Sequence, residues 1–104
     1  MSSELPSACS LDATELRRRL AAIAALGHAA LVSARTEPAR AELVFAAAPG
    51  VRERLEAVVA AEAQCCAFLA MRIDDSAAAL VLTIDAPEAA EPVLAELAGV
   101  FTQA

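Results

Sequence analysis

Three cysteines and one out-of-place carboxylate are the residues of this chain whose types and spacing could do chemistry. Cys9 stands alone near the start, and Cys65 and Cys66 are adjacent. Three thiolates suit soft or borderline ions: Zn(II) and Hg(II) foremost, with Cu(I) and As(III) beside them. A hard ion needs more oxygen ligands than this sequence clusters. The carboxylate is Glu62. With residues placed at 100° intervals around a helix axis and Leu55 at zero, Cys66 falls at about 20°, Glu62 at about 340° and Cys65 at about 280°. Cys66 and Glu62 therefore enter the apolar stripe of Leu55, Val58, Val59 and Leu69, and Cys65 sits on its edge. A buried carboxylate needs a partner or takes up a proton. Two accounts are open: an ion pair to an arginine such as Arg19, or a role as ion ligand or proton acceptor beside the thiols.

Adjacent residues on a helix diverge, so Cys65 and Cys66 can grip one ion only where the helix ends or where a second element supplies ligands. The run Cys65, Cys66, Ala67, Phe68 is expected at such an end. Cys9 lies on an N-terminal arm, residues 1–10, that can fold over and bring the third sulfur. His28 follows Gly27 and reads first as a C-terminal helix cap offsetting the dipole, and last in rank as a fourth ligand. Three functions stay open. One is a small protein that binds a thiophilic ion for sequestration, transfer or sensing. Another is a thiol enzyme with Cys66 as nucleophile or redox centre, Glu62 as acid or base and Cys65 or Cys9 as resolving thiol. The third is a dimerisation or scaffold module whose cysteines fill the core.

The elements that must position these groups come from punctuation and periodicity. Asp12 and Glu15 form a capping box, and Leu16, Leu20 and Ile23 recur at helical spacing, so a first helix is predicted from Asp12 to Leu26 with Gly27 as its stop. Residues 29–34 and 41–45 read as two strands around a turn at Glu37 and Pro38. Pro49 and Gly50 break the chain. A second helix is predicted from Val51 to near Phe68. Met71 and Ile73, a turn at Asp74 to Ser76, and then Leu80, Leu82 and Ile84 read as a second hairpin. Pro87 ends it, and a last helix from about Ala90 to Phe101 turns Val93, Leu94, Leu97 and Phe101 inward, with Pro92 tolerated in its first turn. Helix 1 overlays helix 2 at an offset of 35 residues (Leu16 on Val51), and Leu43 to Phe45 with Pro49 overlay Val81 to Thr83 with Pro87 at an offset of 38. The predicted fold is α+β in the order αββαββα: a four-stranded antiparallel sheet with helices packed on one face and a weak internal helix-hairpin repeat.

Composition sets the frame. The 104 residues are 59% hydrophobic and 21% charged, and 29 of them are alanine, which buries little area. A single domain, 1–104, is predicted. Its core must rest on Leu, Val and Ile with Phe45, Phe68 and Phe101. A chain of this size buries roughly 60 to 70% of its unfolded surface, so a homodimer or a bound ligand would add support. A net charge of −6 argues against a nucleic-acid partner. The only basic cluster, Arg17 to Arg19, lies inside the first helix. No stretch of 18 apolar residues suggests a membrane span, and Met1 to Ser10 does not read as a signal peptide. The cytoplasm is therefore the expected compartment, where an odd number of cysteines suits thiolate ligands better than a disulfide frame.

The segments Ala8-Cys9-Ser10-Leu11 and Val59 to Leu69, with Glu62, Cys65, Cys66, Phe68 and Leu69, and the later Ala86-Pro87-Glu88-Ala89-Ala90, resemble a group of small bacterial proteins. Similar segments occur as C-terminal extensions of mercury-resistance-type (MerR) regulators. The resemblance spans nearly the whole chain. It implies a heavy-metal context and carries onto Cys9, Glu62, Cys65 and Cys66. This chain departs from the pattern by placing two residues, Ala63 and Gln64, between Glu62 and Cys65, and by having Ala67 where proline is common. It also carries no helix-turn-helix reading of its own.

Overall fold

Alternation of side chains at period two lays down the sheet. In the computed structural model, which describes residues 13–65, 68–76 and 78–102, Ala41, Leu43 and Phe45 are buried from β2 (Arg40–Ala46), and Leu80, Leu82 and Ile84 from β4 (Ala79–Asp85). Each of these inner strands pairs in a hairpin with an outer one, β1 (Leu31–Glu37) and β3 (Ala70–Ser76). The hairpins meet along β2 and β4, so the order is β1-β2-β4-β3 with every pair antiparallel. Three helices, α1 (Ala13–Ala30), α2 (Val51–Cys65) and α3 (Glu91–Phe101), pack on the sheet. Among the described residues this is the αββαββα order that the sequence predicts, and no helix there is long and apolar enough to cross a membrane.

The core lies between the helices and the inner strands. Phe45 meets Phe101 edge to face, with ring centroids 5.6 Å apart, and Leu26, Leu55 and Leu94 close around them, each at most 1% exposed. A 3-10 turn at Glu88–Ala90 leads into α3, where Pro92 falls in the first turn and Val93, Leu94, Leu97 and Phe101 are buried, as predicted. The sheet's other face carries a row of paired positions, Arg35, Glu42, Thr83 and Arg72, one from each strand.

Several expected boundaries move. Gly27 does not stop α1, which runs on to Ala30; a glycine ends a helix only where the backbone turns left-handed, and here it serves close packing against α3. Leu16 and Leu20 share the angular stripe of Ile23 but are 45% and 37% exposed. Asp74, Asp75 and Ser76 are not a turn. They close the outer strand, paired with Val81, Leu80 and Ala79, and an edge strand with its side chains in water tolerates such polar residues. The helix-capping residue Asp12 lies outside the described residues.

The internal repeat survives with a corrected offset. Leu43 pairs with Leu82, and the register is symmetric about that pair: Ala41 faces Ile84 and Phe45 faces Leu80. Both strands of the second hairpin start 39 residues after their counterparts, Leu31 to Ala70 and Arg40 to Ala79. An offset of 38 would lay buried Leu43 on half-buried Val81, and a slip of one residue turns every side chain to the wrong face.

Candidate functional site

Two helical faces, each spaced i, i+3, i+4, i+7, oppose one another between α1 and α2. From α1 come Arg19, Ala22, Ile23 and Leu26; from α2 come Arg54, Ala57, Val58, Ala61 and Glu62. Arg19 is ion-paired with Glu62. Because residues 19–26 lie along residues 54–62 with 19 facing 62, the helices run antiparallel. The small side chains of Ala22, Ala57 and Ala61 leave a groove of about 240 Å³ between them.

Glu62 is buried within its apolar stripe, at 8% exposure, as helical spacing predicts. Its compensation is the first of the two accounts, the salt bridge to Arg19, whose side chain is 21% exposed against 11% for the carboxylate. Such a pair, mostly withdrawn from water, ties the two helices together at one level.

Of the other predicted residues the structure describes Cys65 and His28. Cys65 lies in the last described turn of α2 (Val51–Cys65), and residues 66 and 67 lie outside the described residues. Cys9, Cys66 and the rest of the arm 1–10 lie outside the described residues. His28 is exposed in the last turn of α1, where a cation complements the helix dipole, rather than beyond the helix end. It stands nine residues along α1 from Arg19, about 13 Å of helix, on the side away from Cys65, and the structure does not bring the two together.

The antiparallel pairing brings the start of α1 to the end of α2. Ala13 precedes Arg19 by six residues and Cys65 follows Glu62 by three, so both chain ends lie beyond the ion pair on the same side. Cys9 is four residues before Ala13, a span of at most about 14 Å. Among the described residues no group of three His, Cys, Asp or Glu side chains is placed to hold a metal ion. Compared with protein-family models, with curated proteins and with solved structures, the chain matches none.

The end of a helix has its own electrostatics. Unsatisfied carbonyls give the C-terminus a partial negative charge, which opposes a free thiolate there and favours a cation. Activated cysteines sit instead at helix N-termini or beside basic groups. The last turn of α2 contains no basic residue. Sequence reasoning missed the groove. Its signal was the two faces of small and apolar residues at matching helical spacing, each opened by an arginine.

Proposed function

We propose that this protein binds a thiophilic metal or metalloid ion, Zn(II) or Hg(II) first and Cu(I) or As(III) by the same chemistry, through the thiolates of Cys9, Cys65 and Cys66. The observation that supports this reading is that α2, described as far as Cys65, and the start of α1, four residues after Cys9, lie on the same side of the Arg19–Glu62 pair. A cation there compensates both the thiolates and the helix dipole, and the last described turn of α2 contributes no basic residue of its own to activate a nucleophilic thiol. Glu62, one turn earlier, holds the last described turn of α2, which carries Cys65, against α1 through Arg19. The resemblance to the extensions of mercury-resistance-type regulators supports the same reading and a role in sequestration, transfer or sensing. A reducing compartment such as the cytoplasm keeps the ligands available.

Titration of the reduced protein with Zn(II) and Hg(II), followed by thiol counting, tests this. One ion per chain with all three thiols protected is expected, and Cys9→Ser, Cys65→Ser and Cys66→Ser should each weaken binding at least tenfold. Equal affinity in Cys66→Ser and Cys9→Ser overturns the proposal.

A further inference from the structure

We infer that the groove between α1 and α2 is a binding site for an aliphatic monocarboxylate of medium chain length, distinct from the cysteines. Its walls are apolar: Ile23 and Leu26 on one side, Ala57, Val58 and Ala61 on the other. Its charges are not balanced. Glu62 is neutralised by Arg19, while the exposed Arg54, which lines the opposite end, has no ion-pair partner among the described residues. The groove thus presents one uncompensated positive charge in a chain of net charge −6. An arginine fork takes a carboxylate with two parallel hydrogen bonds, so the ligand's head belongs at Arg54. From Arg54 to Glu62 the helix advances about 12 Å, which suits an extended chain of eight carbons or so lying against the alanines. An alkylammonium ion would put its charge against Arg54, and an alcohol would leave the guanidinium without its counter-charge.

The ligand contributes no covalent step. It fills space that alanine leaves open between α1 and α2, and so joins them along their length.

The experiment compares octanoate, octylammonium and octan-1-ol as probes of the full-length protein, read by calorimetry and by methyl resonances of Ile23 and Val58. Octanoate should bind one per chain and move those resonances, and octylammonium should not bind. Arg54→Gln should weaken octanoate roughly tenfold, the size of one charge-assisted hydrogen bond, and leave octanol unchanged. Ala57→Leu, at an exposed position that tolerates a larger side chain, should abolish both by filling the groove. The inference is overturned by absence of octanoate binding, by octylammonium binding as well as octanoate, or by unchanged octanoate affinity in both variants.

Discussion

Gly27, inside α1, packs directly against the backbone carbonyl of Phe101 at the end of α3. A Cβ at position 27 would stand 2.8 Å from the carbonyl carbon and closer still to its oxygen. Both partners are main chain, so neither can swing aside, and the helices would have to part. Ordinary helix propensity favours Gly27→Ala by about 1 kcal/mol; the forced separation should outweigh that and leave a net loss of about 2 kcal/mol. Gly99 in α3 meets nothing within 4 Å of such an atom, and Gly99→Ala should gain about 0.5–1 kcal/mol. Urea denaturation of the two variants measures both, and equal stability of the pair would refute the account of the contact.

The Arg19–Glu62 pair makes a second prediction. Arg19→Met leaves a buried carboxylate without its cation, and with the pair partly open to solvent the loss should be about 2 kcal/mol at neutral pH. Glu62→Gln leaves the more exposed partner behind and should cost less. Denaturation midpoints of both single variants and the double variant close the cycle, and additive losses would mean that the pair is not coupled.

Leu43 and Leu82 occupy equivalent places about the centre of the sheet, both fully buried. Truncation to alanine should therefore cost each about 3 kcal/mol, with the double variant departing from additivity because the two cavities merge. Thermal unfolding compares them. A large disparity between the singles would show that the repeat is one of backbone only and does not extend to packing.

Much of this was legible in the residues. The alternation in Ala41–Phe45 and Leu80–Ile84 encodes a half-buried strand directly, and Pro49, Gly50 and Pro87 punctuate the chain where elements change. The burial of Glu62 followed from helical angle alone, and its partner Arg19 was nameable because a buried carboxylate demands a cation. What spacing could not show is how far a packing surface extends. Leu16 and Leu20 lie on the right stripe of α1, yet only tertiary placement decides that they stay exposed. Gly27 looked like a stop because a sequence does not distinguish a glycine needed for a left-handed backbone from one needed for close approach. The groove escaped because alanine reads as filler until two alanine faces are seen to oppose each other.

The charge at the end of α2 separates ion binding from thiol catalysis in a way that needs no prior choice of ion. The last described turn of α2 carries no basic residue and its dipole opposes a thiolate, so the ion-free, reduced protein should react with iodoacetamide no faster than a free cysteine does. Zn(II) should then slow alkylation of Cys65 and Cys66 at least tenfold, because a coordinated thiolate is masked from the reagent. Cys9→Ser should weaken that protection if the arm supplies the third sulfur. Rates can be followed by mass spectrometry of the alkylated peptides across a zinc titration. Rapid alkylation of Cys66 in the ion-free protein, unaffected by zinc, would instead mark it as a reactive thiol and leave the three cysteines without a shared ion.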